Sequence, residues 1–349
     1  MPVPSTPSRI APGGGGKFSW RDEREGWRQW WRTASRARRF GPVGGVLAFW
    51  LAHAWLGGFR GDHVALGLAV LAFAYGGPRL APWFRLLLPL ALMGAVYDGQ
   101  GYLRRALADK LTIHVAEPAA FDRAVFGIRT ADGVLTPAEW LQHHTTPWLD
   151  VICGAAYLSF VPVFLGAALW LRWQGARARE AEGARLTREA ETMTWAFFWL
   201  GMISIATYYA YPAAPPWYVE RYGLGPVVRD AAPSAAGAAR IDARFGIEVF
   251  SKFYGRNPNV FAAIPSLHAA IPLLAFCFAW RTRRLRFATG SCAALMAFAA
   301  VYLNHHYVLD VLWGWSYVAV VMIWAARRAA AAAARAASRG AQRESGCAG

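Results

Sequence analysis

Ser266 and His268 stand in the stretch AAIPSLHAAIPLL (262–274), which otherwise reads as the start of an apolar helix. His306 and Asp310 stand four apart in NHHYVLDVLWGW (304–315). Positions i and i+4 share a helix face. An aspartate one turn from a histidine can accept a hydrogen bond from one imidazole nitrogen, which fixes the tautomer and leaves the other nitrogen as nucleophile or base. Taken alone, the pair could equally satisfy itself inside a helix bundle, and a lone His268 could be an ordinary core residue. Setting and coincidence favour chemistry. Ionisable groups in membrane helices are costly and line functional cavities, and here two apolar segments bring histidines to the same end. The loop before His268, RIDARFGIEVFSKFYGRNPNVFA, adds Arg240, Arg244, Lys252 and Arg256. Two histidines, an aspartate and several cations suit phosphoryl transfer. One histidine attacks, the other handles the leaving group's proton, and the cations offset charge in the transition state.

The elements that must position these residues read as helices in a membrane. Of 349 residues, 56% are hydrophobic, and the mean hydropathy of +0.23 is high for a soluble domain of this length. The expected fold class is all-α: a polytopic membrane helix bundle with about eight transmembrane helices. The candidate spans lie near 42–58, 63–77, 81–98, 147–171, 193–211, 262–280, 287–304 and 306–326. Arginine clusters before the first span and after the fourth, sixth and eighth then fall on one side. The positive-inside rule makes that side cytoplasmic, with both termini, and puts the histidines at the outer face of a bacterial plasma membrane. The segment 99–146 breaks the rule with its own Arg104, Arg105, Lys110, Arg123 and Arg129. Residues 1–17 are expected to be disordered, 18–40 to form a basic interfacial helix, 41–328 the catalytic transmembrane domain and 329–349 an Ala/Arg-rich tail. No signal peptide is expected, because no apolar core follows a short basic start.

The net charge of +16 is accounted for by arginine in short loops, and no basic patch interleaved with exposed aromatics suggests nucleic acid. Cys153, Cys277, Cys292 and Cys347 form no CxxC pair, so neither a zinc site nor a disulfide framework is indicated. Adjacent His305 and His306 diverge around a helix, which argues against both serving as metal ligands with His268 and Asp310. His143 and His144 have no evident partner. A proton-coupled transporter would carry charges deep in several spans; here they gather at one edge.

PSLH at 265–268 with HxxxD at 306–310 resembles two signatures of the type 2 phosphatidic acid phosphatase superfamily. YPAAPPWY (211–218), ARID (239–242) and NVFAAIPSLHAA (259–270) resemble the inositol phosphorylceramide synthases of fungi and their bacterial relatives. The resemblance covers about 193–326. It implies a six-helix phosphatidic-acid-phosphatase-like core, His306 as nucleophile forming a phosphohistidine, Asp310 orienting it, His268 as acid and then base, and Ser266 donating to the phosphoryl group. It also implies a phosphatidylinositol-type donor and a ceramide-type acceptor, with release of diacylglycerol and no metal or other cofactor. The superfamily's KxxxxxxRP signature has no clean copy, and Ala300 stands where that superfamily has an arginine six before the histidine. Arg240 and Arg256 are therefore the candidate phosphate-binding cations, each equally able to be a solvated loop charge. The alternative activity is hydrolysis of a lipid phosphate or polyprenyl pyrophosphate.

Overall fold

A computed structural model describes residues 20–107 and 109–347. The described residues are all-α apart from one hairpin of two three-residue strands. The segment expected to be disordered, 1–17, lies outside the described residues. Two compact units divide the chain: one runs to Leu88 and includes Leu169–Ala190, and the other takes Pro89–Ala168 and Glu191 onward.

The first unit holds α1 (Trp20–Thr33), α2 (Arg36–Trp55), α3 (Gly61–Tyr75) and the start of α4 (Ala81–Leu107). Ser35 caps α2 by accepting from the Arg38 N–H. A close crossing joins α2 to α3: a Cβ on Gly67 would lie 2.6 Å from the Trp50 indole, whose Nε1 donates to the His63 carbonyl.

The second unit builds the site. It contains the rest of α4, α5 (Ala116–Phe126), strands β1 (Ile128–Thr130) and β2 (Gly133–Leu135), and α6 (Pro137–Gln142). α7 (Pro147–Arg177) up to Ala168 and α8 (Glu180–Ala210) from Glu191 follow, then α9 (Pro216–Tyr222), α10 (Ala239–Phe245) and α11 (Val249–Tyr254). The last three helices are α12 (Leu267–Thr282), α13 (Arg286–Tyr302) and α14 (Val308–Cys347). α6 opens on a capping box in which Thr136 and Glu139 satisfy each other's backbone N–H groups. α12 packs against both α13 and α14. Buried Tyr157, Ala269, Met296, Ala299, Tyr302 and Val311 share one core cluster around these helices.

The expectation of about eight transmembrane helices is overturned. Among the described residues two helices are long and apolar enough to cross a membrane, Pro147–Arg177 and Val308–Ala334. The runs at 63–77, 262–280 and 287–304 become helices of 15, 16 and 17 residues, short of the roughly 20 that a span needs. The other runs sit inside helices broken by charge. α2 begins with Arg36, Arg38 and Arg39; α4 carries Arg85 and Asp98; the first half of α8 holds Glu180, Glu182, Arg185 and Arg188. The two long helices expose large apolar side chains, among them Trp148, Ile152 and Val161 on α7 and Trp313, Val320 and Ile323 on α14. Surfaces of that kind suit association with lipid.

Candidate active site

The site forms where α12 and α14 begin. Ser266 is the N-cap of α12, its Oγ accepting from the Ala269 N–H at 3.3 Å, and its own N–H donates to the Asp310 carbonyl at 2.9 Å. α14 starts after a turn in which Asn304 takes a left-handed φ of +62°, a conformation asparagine tolerates better than most side chains. Asp310 is fully buried and accepts the Tyr307 N–H at 2.9 Å, capping its own helix.

His306 Nδ1 lies 3.0 Å from the Ala263 carbonyl and 3.3 Å from Asp310 Oδ2. A carbonyl oxygen can only accept, so Nδ1 carries the proton and Nε2 keeps its lone pair. Nε2 lies 3.4 Å from Nδ1 of His268. A carboxylate, an imidazole with a free nitrogen and a second imidazole are thus joined in sequence. Tyr157 stacks on the His268 ring at 4.2 Å and on the His305 ring at 4.8 Å, at 13° in each case. One buried ring therefore sets the plane of two imidazoles.

The sequence motifs around the site act as a backbone frame. In YPAAPPWY, Ala213 bridges both His114 and Ala262 in parallel fashion. Two prolines then open α9. The Trp217 N–H donates to the Asn304 carbonyl at 3.0 Å, and the Asn304 amide donates to Glu220. In ARID, Asp242 accepts the N–H groups of Phe250 and Ser251 and the Ser251 hydroxyl, holding the start of α11. Burial alone would raise the Asp242 pKa, but these hydrogen bonds hold it below the usual carboxylate value.

His268, His306 and Asp310 come together, with Ser266 at their edge as a fully buried helix cap. Arg240 does not face the histidines as a spare cation. Its Nε donates to Asp150 at 2.9 Å and its Nη1 to Gln142 at 3.0 Å, while the Tyr302 hydroxyl also donates to Asp150. Arg256 is exposed just beyond α11. His305 Nε2 lies 3.1 Å from the Ala235 carbonyl, so it is the donor, and burial pushes its pKa down to about 3.

Three residues near the site had no sequence signal. Tyr157 and Tyr254 flank the imidazoles, and the Tyr254 ring lies against His305 at 4.7 Å, tilted by 34°. Asp122, fully buried on α5, accepts the Leu309 N–H at 3.0 Å and so caps α14 from another helix. Burial raises the Asp122 pKa to about 6, against the opposing backbone hydrogen bonds and with the nearby Asp310 charge adding to the rise.

Fold and site together define an enzyme of phosphatase or phosphotransferase type, built on a buried histidine pair oriented by a carboxylate. Residues 132–326 match the PAP2 superfamily, and the chain belongs to that family. It is 32% identical over 260 residues to a phosphoinositol dihydroceramide synthase of Bacteroides thetaiotaomicron, covering 74% of this chain and 81% of that one. It is 31% identical over 252 residues to an inositol phosphorylceramide synthase of Candida albicans, covering 70% of this chain and 49% of the relative. The catalytic subunit of the Schizosaccharomyces pombe inositol phosphorylceramide synthase is 33% identical over 134 residues, which is 38% of this chain and 32% of that one. No solved structure matches the chain.

Proposed function

We propose that this protein moves a phosphoinositol headgroup from phosphatidylinositol to a ceramide-type lipid alcohol, releasing diacylglycerol. The observation that carries the reading is the 3.4 Å approach of His306 Nε2 to His268 Nδ1, with Asp310 on the far nitrogen of His306. The names of the relatives supply the lipid classes.

In the first half-reaction Nε2 of His306 attacks phosphorus and the bond to the diacylglycerol oxygen breaks. His268 enters as imidazolium, the negative phosphodiester beside it offsetting the cost of burying its charge. It gives its proton to the departing oxygen. The phosphohistidine then meets the acceptor alcohol. His268, now neutral, takes the hydroxyl proton as the alcohol oxygen attacks phosphorus and the bond to Nε2 breaks. Asp310 holds the imidazole in the tautomer that leaves Nε2 nucleophilic and stabilises the charge that develops on the ring. Ser266, at the edge of the histidines, and Arg256, exposed beyond α11, would serve the phosphoryl oxygens.

The active site would lie at the outer surface of a bacterial plasma membrane. Pro147–Arg177 and Val308–Ala334 both begin near the histidine end. Both run toward arginine, with Arg177 and Arg179 at one end and Arg327 and Arg328 at the other, the pattern of cytoplasmic ends.

The test is to incubate purified protein in mixed micelles with inositol-labelled phosphatidylinositol and EDTA, with and without ceramide. The expected product is a labelled lipid that survives mild alkali and appears only with ceramide. Free inositol phosphate formed regardless of ceramide would replace this reading with hydrolysis, in which water takes the place of the alcohol.

A further inference from the structure

Two buried hydroxyls beside the histidines, those of Tyr157 and Tyr254, have no hydrogen-bond partner among the described residues. Tyr254 as a whole is only 6% exposed. Burying a hydroxyl costs it its bonds to water, and few buried polar groups in folded proteins stay unpaired. At a reacting centre such an orphan calls for a partner that arrives with the substrate.

The two tyrosines are placed differently. Tyr157 lies parallel to both imidazoles, at 13° to His268 and to His305, and so meets them with its face. Tyr254 is inclined to all three rings: 34° to His305 at 4.7 Å, 38° to Tyr157 at 5.7 Å and 45° to His268 at 6.3 Å. It therefore meets them partly with its edge, which carries the hydroxyl. The fold holds it there from two directions. Asp242 of the ARID motif fixes the first turn of α11 through the Phe250 and Ser251 N–H groups. Tyr254 ends that helix, and its carbonyl accepts the Asn257 N–H at 2.9 Å. Gly154 on α7 lets this segment come close: a Cβ there would collide with Ile241 and lie 3.0 Å from Phe250. Tyr157 follows three residues later, on the same helix face.

The candidate groups for the phosphoryl oxygens leave the buried side of the site without a donor. Arg240 is held by Asp150 and Gln142, Arg256 is exposed, and Ser266 lies at the edge as a helix cap. Ala300 shares the buried cluster with both tyrosines and has no polar side chain to offer. Burial pushes the Tyr254 hydroxyl above the ordinary phenol range, so at neutral pH it keeps its proton and serves as a donor.

We propose that the Tyr254 hydroxyl is a further catalytic group, donating a hydrogen bond to a nonbridging phosphoryl oxygen as His306 attacks. No proton is transferred. The bond strengthens as negative charge gathers on that oxygen, so it lowers the barrier more than it tightens binding of the ground state. This role rests on the phosphoryl-transfer reading and adds to it a donor that no sequence motif supplied.

Tyr254→Phe removes the oxygen alone and keeps the ring against His305. Rapid-quench single turnover of the detergent-solubilised full chain with phosphate-labelled phosphatidylinositol reads the first half-reaction. Phosphoenzyme formation should slow by about 10²- to 10³-fold, with the donor concentration for half-maximal rate within about threefold of wild type. The melting temperature should hold or rise, because the lost hydroxyl leaves no partner behind. A rate within about threefold of wild type would overturn the assignment and leave the hydroxyl to a trapped water. A slower rate together with a lower melting temperature would overturn it in favour of a packing role. A wild-type protein that forms no phosphoenzyme would sink the histidine mechanism itself, a failure distinct from a rate that the substitution leaves unchanged.

Discussion

The backbone N–H of Ser266 donates to the carbonyl of Asp310 at 2.9 Å, so the cap of α12 is stitched to the first turn of α14. Gly314, one turn further on, lets the two backbones meet: a Cβ there would lie 2.6 Å from the Ser266 carbonyl oxygen and 3.3 Å from the Ala270 Cβ. Gly314→Ala should force the helices apart where His268 and His306 face each other. We expect a loss in kcat of about 10- to 100-fold, the scale of small misplacements at a reacting centre. Thermal stability should fall by about 1–3 kcal/mol from overpacking. Wild-type kcat in Gly314→Ala would show that this contact does not set the geometry.

His306→Ala should abolish turnover and remove the acid-labile phosphoenzyme trapped by rapid quench with phosphate-labelled donor. Asp310→Asn should lower kcat by about 10²- to 10⁴-fold, because the carboxylate oxygen that takes both the Nδ1–H and the Tyr307 N–H becomes a neutral amide oxygen that no longer offsets charge developing on the ring. Substrate affinity should change little. Persistence of the phosphoenzyme in His306→Ala would move the nucleophile elsewhere.

Tyr157 separates packing from hydrogen bonding. Its hydroxyl is buried with no hydrogen-bond partner among the described residues, while its ring stacks on His268 and His305. Tyr157→Phe keeps both stacks and removes an unsatisfied hydroxyl, so stability should hold or rise by about 1 kcal/mol with activity retained. Tyr157→Leu loses the flat surface and should lower kcat. Equal activity in the two variants would rule out ring alignment by stacking.

Two carboxylates should give opposite pH signatures. Asp122 is raised to about 6 in the fold, so its neutral form is the favoured one. The associated stability is full below its unfolded value near 3.9 and is lost as pH rises through about 6, on the order of 2–3 kcal/mol. Asp122→Asn keeps an acceptor for the Leu309 N–H and should flatten the melting profile between about pH 4 and 6. A profile unchanged by that substitution would contradict the shift.

Asp242 is depressed, so its contribution is present above its unfolded value near 3.9 and is lost as pH falls through the lower folded value. Asp242→Asn should cost about 1.5–3 kcal/mol, the worth of hydrogen bonds to a charged group, and the difference from wild type should shrink in acid. Urea unfolding at pH 7 and at low pH measures both.

Chemistry within one turn of helix was legible in the sequence. His306 and Asp310 meet as expected, although His306 lies in the turn just before α14 rather than on a shared helix face, and Ser266 sits where a short hydroxyl caps the helix that carries His268. What each apolar run does was not legible. A stretch of apolar residues has the same composition whether it faces lipid or a protein core, and helix ends depend on caps and tertiary partners. Six runs of similar hydropathy therefore became short or charge-interrupted helices, while 147–177 and 308–334 kept span length.

The sequence by itself determined the reactive residue types, their local pairing and the all-α character, because those follow from backbone periodicity and side-chain chemistry over a few residues. Only the tertiary structure decided who meets whom across the chain. His268 and His306 approach over 38 residues, Arg240 is drawn to Asp150 over 90, and Asp122 caps α14 over 187. The physical reason is that these contacts are fixed by how helices pack and which backbone groups are left unpaired at their ends, and no spacing along the sequence encodes a helix-to-helix distance.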